Sequence, residues 1–253
     1  MRKNGKFLFL FVMFIGICLT ACTDKNLDST TPTRSYEQDA TLLSYFVDID
    51  LENGEYFLNT EKSSLLNFLP DSYKNDLIFV SDANRERFLQ EMDVLNSNLA
   101  NIIEHETSDY IVFSIPGREA VIKQLNPVST IRFVNNQEIA SRATNQSYYL
   151  SLSGYNGTKN YLDFKAGKYV DCDVELTAMG GQSYFVTIRE TNSNAKPDWG
   201  DSGNPHAITY SGYGYYRGTT SWTHYDWSSN LSWSMEAYIT IPPMNGHADF
   251  LPV

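Results

Sequence analysis

The stretch that decides the fold is VDCDVELTA, residues 170–178, in which every second residue is apolar. The apolar residues are Val170, Cys172, Val174, Leu176 and Ala178. Alternation with a period of two is typical of a strand that has one buried face and one face in water. Such strands occur in antiparallel sheets that cover a core on one side. The stretch therefore predicts an antiparallel sheet.

Further strands are predicted on both sides of this one. The same alternation recurs at residues 184–188 and 233–241, and residues 148–152 and 161–164 are additional strand candidates. Gly180-Gly181 predicts a tight hairpin turn after the first strand. Short alternating strands separated by Gly, Asn, Ser and Pro are typical of a two-layer sandwich. We therefore expect an all-β antiparallel sandwich of about seven to nine strands over residues 146–253.

The preceding part of the chain mixes helix and strand patterns. Ser35-Tyr-Glu-Gln38 fits a capping box that opens a helix, and Asn53-Gly54 predicts a hairpin between two short strands. Residues 82–105 carry an apolar stripe at helical spacing. The remaining patterns predict strands at residues 77–80, 110–115 and 130–134, and a short helix at residues 118–125.

These patterns predict an α+β chain in which a small N-terminal α/β-type layer domain precedes the sandwich. The division we expect is a signal peptide at residues 1–21, a flexible tether at 22–34, an α+β domain at 35–135, a polar linker at 136–145 and the sandwich at 146–253. All four tryptophans lie in the last of these segments, which supports the division.

The first residues of the chain have the layout of a secretory signal. Arg2, Lys3 and Lys6 precede an apolar run, and the run ends in Leu19-Thr20-Ala21-Cys22. The run from Phe7 to Ala21 is shorter than the roughly 20 residues that a membrane-spanning helix needs. A cleaved signal therefore explains it better than a retained helix.

The four residues 19–22 resemble the lipobox of bacterial lipoproteins. In that family the cysteine is diacylated on sulfur and the peptide is cut before it. The resemblance implies that Cys22 is the lipid attachment site, with the bilayer as its partner. Thr23 is not the Asp that retains many such proteins at the inner membrane. The resemblance thus implies an outer-membrane lipoprotein of a Gram-negative bacterium, facing either the periplasm or the surface.

The net charge of −11 argues against a basic surface for nucleic acid. It becomes more negative once the three basic residues of the leader are removed. Cys172 is the only cysteine outside the leader and the lipid site, so no intramolecular disulfide can form. Because Cys172 lies on the apolar side of its strand between two aspartates, we expect a buried structural thiol and not a nucleophile.

A binding surface is predicted in residues 210–227, where seven of eighteen residues are Tyr or Trp among Gly, Ser and Thr. Such rings offer an apolar face with a polar tip and are enriched at recognition sites. The alternative is that these rings fill the sandwich core. The residues that we single out as ligand-binding are Tyr213, Tyr215, Arg217, Trp222, His224, Tyr225 and Trp227.

No catalytic motif is recognisable, and no catalytic residue is predicted. The oxygen-rich loop at residues 191–205 makes Asp198 and Asp201 weak candidates for binding calcium, and no other cofactor is expected. Three functions are therefore considered. The first is a lipoprotein that binds glycan, the second is an interaction subunit that binds another envelope protein, and the third is a hydrolase without a recognisable motif.

Overall fold

The computed structural model describes residues 34–61, 75–127, 129, 131–134, 148–154, 158–165, 169–191, 206–223, 230–237 and 244–252. From Arg34 onward these residues belong to one compact unit. It contains two α-helices, one 3-10 helix and thirteen strands within the described ranges.

Helix α1 (Tyr36–Ser44) begins at the predicted capping box, which is confirmed. The Gln38 amide donates to Ser35 Oγ at 3.3 Å, and the Ser35 amide donates to Gln38 Oε1 at 3.0 Å. Helix α2 (Asp82–His105) begins after its N-cap Ser81 and is also confirmed. Its buried stripe consists of Phe88, Met92, Leu95 and Leu99.

The strands follow in chain order. They are β1 (Val47–Asp50), β2 (Glu55–Leu58), β3 (Tyr110–Ser114), β4 (Val121–Gln124), β5 (Arg132–Val134), β6 (Tyr148–Gly154), β7 (Thr158–Lys165), β8 (Tyr169–Ala178), β9 (Ser183–Thr191), β10 (Ala207–Tyr213), β11 (Tyr215–Thr223), β12 (Asn230–Ala237) and β13 (Met244–Pro252). The hairpin expected at Asn53-Gly54 joins β1 to β2.

Two of the predicted elements are wrong. Residues 118–125 contain strand β4 and not a helix, because Pro116-Gly117 forms a tight turn that folds the chain back onto β3. The Arg118 amide donates to the Ile115 carbonyl, and Gly117 has a φ of 72°, as a type II turn requires. Residues 77–80 contain a 3-10 turn (Leu77–Phe79) and not a strand. This turn points Val80 into the core just before the N-cap of α2.

Most of the strands form two sheets. The six-stranded sheet has the order β4-β3-β10-β9-β12-β7, and the five-stranded sheet has the order β5-β11-β8-β13-β6. All pairs are antiparallel except β3 with β10, which is parallel. The predicted α+β fold with an antiparallel sandwich is confirmed.

Strands from both parts of the chain share these sheets. Strands β3 and β4 belong to the six-stranded sheet and β5 to the five-stranded sheet, whereas we expected them in a separate domain. The physical reason is that β3 is apolar on both sides: Val112 faces one core, and Ile111 and Phe113 face another. A strand of this kind is stable in the interior of a covered sheet. The linker predicted at 136–145 lies outside the described residues.

Within the described residues, the chain from Arg34 onward forms three layers and two cores. One core lies between the two sheets and includes Cys172, Trp222 and Trp233. The other lies between the six-stranded sheet and a helical layer, which consists of α1, α2 and the β1–β2 hairpin. One sheet surface remains, the face of the five-stranded sheet that points away from the sandwich core, and we call it the outer face.

Candidate binding site

The aromatic stretch contributes to β10, the turn at Gly214 and β11. Its rings lie in different parts of the structure. Tyr213 is 2% exposed and contacts Tyr56 and Phe88 in the core of the helical layer. Trp222 is 1% exposed and meets Trp233 between the sheets. The structure therefore corrects the prediction for Tyr213 and Trp222, because neither ring reaches the surface.

Two of the predicted ligand-binding residues do lie on the surface. Tyr215, which is 54% exposed, and Arg217 both point from β11 onto the outer face. The other predicted site residues lie outside the described residues. These are the ligand-binding candidates His224, Tyr225 and Trp227, the metal candidates Asp198 and Asp201, and the lipid site Cys22.

Strand register shows which side chains meet on the outer face. Residues that are directly opposite across neighbouring strands share a face, so the side chains form rows. One row consists of Arg217, Glu175, His247 and Ser151, and the next consists of Thr219, Asp173, Asp249 and Tyr149. On this face the acids Asp173 and Glu175 of β8 are thus joined by Asp249 of β13. Asp171, one row further along, is buried.

A groove lies across β6, β8 and β13 on this face. Its volume is about 270 Å³, and it is lined by Tyr149, Ser151, Glu175, Thr177, Asn245, Gly246 and His247. Tyr149 is 57% exposed and stacks on His247, with ring centroids 5.4 Å apart and an interplanar angle of 26°. The stack holds the tyrosine ring in place, so the groove has a fixed aromatic wall and a polar floor.

Arg217 neutralises one acid of the outer face. Its Nη2 lies 3.0 Å from Asp173 Oδ2, and the Thr219 hydroxyl donates to Asp173 Oδ1 at 3.2 Å. The hydrogen bond to Asp173 and the charge of that carboxylate raise the pKa of Arg217. Arg217 is therefore a cross-strand partner for the acids of β8.

The other two acids of this face, Glu175 and Asp249, are less completely balanced by positive charge. Glu175 Oε2 lies 4.0 Å from His247 Nε2. Asp249 lies directly opposite Asp173 across β13 and β8, an arrangement of like charges that is unfavourable. Partial burial raises the pKa of Asp249, and the nearby charge of Asp173 raises it further while His247 opposes the rise.

The described residues offer no obvious reactive or metal-binding centre. No group of three His, Cys, Asp or Glu side chains in these ranges is placed to hold a metal ion. Cys172 is fully buried, and this burial, together with the charge of Asp173, raises the pKa of its thiol. A thiol in that state is not an activated nucleophile, so the prediction of a structural thiol is confirmed.

A buried polar cluster was missed by sequence reasoning. His206 Nδ1 lies 2.9 Å from Asp109 Oδ2, and Asn126 Nδ2 donates to Asp109 Oδ1 at 2.6 Å. Asp109 and His206 directly precede β3 and β10, whose parallel pairing brings them together although they are 97 residues apart. No local pattern marks such a pair. Because both side chains are only 7% exposed, we assign them to joining the two strands.

Comparison with known proteins assigns the chain to no family. No protein-family model matches the chain, and a search of curated proteins finds no match. Among the described residues, no helix has the length and apolar character needed to cross a membrane. The groove on the outer face is therefore assigned as the candidate site from its geometry.

Proposed function

We propose that this chain is an outer-membrane lipoprotein of a Gram-negative bacterium, anchored through acylated Cys22, whose sandwich binds glycan in the groove of the outer face. The anchor is supported by the sequence of residues 19–22. Glycan binding is supported above all by the exposed Tyr149 ring, which its stack on His247 holds beside the groove.

The composition of the groove suits a sugar. A sugar ring presents C–H groups on its faces, which pack on an aromatic ring, and hydroxyl groups around its edge. Ser151, Thr177 and Asn245 supply the hydroxyl and amide groups that can hydrogen-bond such an edge. The groove is at the small end of ligand pockets, which are roughly 300–1,000 Å³, so it suits a short section of a longer polymer.

The full-length chain, solubilised in detergent, should be titrated with a panel of oligosaccharides. We expect Tyr149→Ala to weaken binding by about fivefold or more, because the stacking surface is lost. Tyr215→Ala is the matched control, since Tyr215 is the same residue type on the same face, is similarly exposed and lies outside the groove. The glycan proposal is wrong if no oligosaccharide binds, or if both variants lose affinity equally.

The anchor has a separate test. Labelling cells with a fatty-acid analogue should mark the wild-type chain, and Cys22→Ser should remove both the label and retention in the membrane fraction, because the acylated sulfur is gone. A labelled Cys22→Ser chain would place the lipid elsewhere.

A second candidate function is that of an interaction subunit. Ile78 and Phe79 are 78% and 52% exposed on the 3-10 turn of the helical layer, and adjacent exposed apolar side chains are a feature of protein-binding surfaces. If this function is correct, an envelope protein that co-purifies with the wild-type chain should be lost from an Ile78→Ser, Phe79→Ser double variant that still binds glycan.

A further inference from the structure

The charge of the outer face points to the chemical class of the glycan, an inference that rests on the proposed function. We infer that the preferred ligand is an amino sugar polymer with free, protonated amino groups, held between Tyr149 and the carboxylates of Glu175 and Asp249. The inference concerns the same groove and adds a cationic group to the ligand.

Two carboxylates remain available beside the aromatic stack. Asp173 is paired with Arg217 at 3.0 Å. Glu175 Oε2 lies 4.0 Å from His247 Nε2, and Arg217, directly opposite Glu175, is hydrogen-bonded to Asp173. Among the described residues no hydrogen bond to the Asp249 carboxylate is found. Three carboxylates thus share one arginine on this face, and the groove keeps a net negative charge.

Glu175 and Asp249 lie beside the ring stack, where the amine of a sugar stacked on Tyr149 would be. Asp249 is the direct cross-strand neighbour of Tyr149, and Glu175 is the direct neighbour of His247. The two carboxylates therefore flank the ring stack on the side of β8 and β13. An ammonium group on a sugar that packs against Tyr149 lies on the face that carries both carboxylates, and beside Asp249 it relieves the repulsion between Asp249 and Asp173.

The electrostatics of the chain favour the same ligand class. The net charge of −11 attracts cations at long range. An exposed aromatic ring also attracts a cation placed over its free face. A neutral sugar gains the stacking alone, whereas an amino sugar gains stacking, a charge-assisted hydrogen bond and attraction by the net charge.

Once the sugar amine is fully protonated, a further fall in pH should weaken its binding. The titratable and charged groups that face the groove are Tyr149 on β6, Asp173 and Glu175 on β8, Arg217 on β11, and His247 and Asp249 on β13. Burial raises the pKa of Asp249, and the charge of Asp173 adds to the rise while His247 and Arg217 oppose it. As the pH falls, this carboxylate is therefore neutralised earlier than that of an ordinary aspartate. The loss of its negative charge disfavours a cationic ligand.

The test compares two oligomers that differ only in charge. The full-length chain is titrated at pH 7 with a β-1,4-linked glucosamine pentamer and with its fully N-acetylated counterpart. We expect the amine form to bind about tenfold more tightly, as expected for one charge-assisted hydrogen bond in a partly exposed site. Asp249→Asn and Glu175→Gln should each reduce that preference about fivefold.

A charge control separates the groove from general attraction. Glu104→Gln removes one exposed acid from α2, in the helical layer and away from the groove, and should leave both affinities unchanged. If it reduces amine binding as much as Asp249→Asn does, the inference is overturned. If both pentamers bind equally, or the acetylated form binds more tightly, the inference is also overturned while the proposed function stands. If neither pentamer nor any other glycan binds, both are overturned.

Discussion

Trp222 and Trp233 meet edge to face near the centre of the sandwich. Their ring centroids are 4.7 Å apart at an interplanar angle of 81°, and both rings are almost fully buried. Trp222 belongs to β11 of the five-stranded sheet and Trp233 to β12 of the six-stranded sheet. The pair therefore joins the two sheets, and aromatic pairs of this geometry contribute more than their burial alone.

We expect Trp222→Ala to lower the free energy of unfolding by about 3–5 kcal/mol, the usual cost of removing a large buried ring. Tyr215→Ala, on the outer face of the same strand, should change it by less than about 0.5 kcal/mol. Chemical denaturation of both variants checks this. If the Trp222→Ala chain has normal stability but fails to bind glycan, Trp222 belongs to the binding surface and not to the core.

Individual residues show why the binding site was only partly predictable. The inner face of β11 carries Tyr216, Gly218, Thr220 and Trp222, so small and polar residues interrupt the apolar alternation that marks β8. A Cβ at Gly218 would lie 2.2 Å from Tyr216 Oη, which explains the glycine only once the fold is known. Tyr149 and His247, the stack beside the groove, are neighbours through strand register alone.

At the scale of elements, the Gly180-Gly181 turn between β8 and β9 supports helix α1. Both glycines have positive φ, 64° and 71°, as a type I′ turn requires. The predicted hairpin is nevertheless wrong, because β8 and β9 belong to different sheets and the turn carries the chain from one sheet to the other. Gly181 also lies against the helix backbone, since a Cβ there would be 2.1 Å from the carbonyl carbon of Ala40. The turn thus permits close packing of α1 on the sandwich.

The two glycines make a matched pair of substitutions. Gly180→Ala should cost about 1–2 kcal/mol, the strain of a left-handed conformation, because its Cβ meets only the flexible side chain of Glu37 at 3.4 Å. Gly181→Ala should cost clearly more, since the same strain is combined with a clash against backbone. Thermal unfolding of both variants measures the difference. Equal costs would show that α1 moves aside freely.

Patterns of residues close in sequence predicted the helices and strands better than they predicted which strands pair. The Ser35 capping box, the apolar stripe of α2 and the alternation of β8 each depend on residues close in sequence, and each was confirmed. Strand β4 was missed because it has only four residues and its two apolar residues, Val121 and Ile122, are adjacent, so no alternation distinguishes a strand from a helix. The pairing of β3 with β10 depends on contacts between distant segments, which no local pattern contains.

At the scale of the whole molecule, five tyrosines among the described residues are buried in the two cores: Tyr56, Tyr184, Tyr210, Tyr213 and Tyr216. Burial raises the pKa of each above the ordinary value of about 10. A group with a raised folded-state pKa contributes its full stability below the unfolded-state pKa, and loses it as the pH rises above that value. Stability should therefore be lost above pH 10 or so.

Each buried tyrosine should steepen the loss by about 1.4 kcal/mol per pH unit above that point. Tyr213→Phe keeps the ring and removes the hydroxyl, so it should flatten the pH dependence by that amount. Denaturation measured at a series of alkaline pH values, with tyrosinate absorbance as a second signal, checks both statements. An unchanged slope in Tyr213→Phe would mean that this hydroxyl ionises within the folded chain.

The parallel pairing of β3 with β10 also sets the order in which the chain can fold. Strand β3 pairs with β10, which lies roughly a hundred residues further along the chain. Contacts of such long range slow folding. Until β10 has been made, Ile111, Val112 and Phe113 have no sheet to cover them. A fragment ending at residue 135 should therefore aggregate or remain unfolded. In the complete chain, β3 can take its place in the six-stranded sheet only when synthesis is nearly finished.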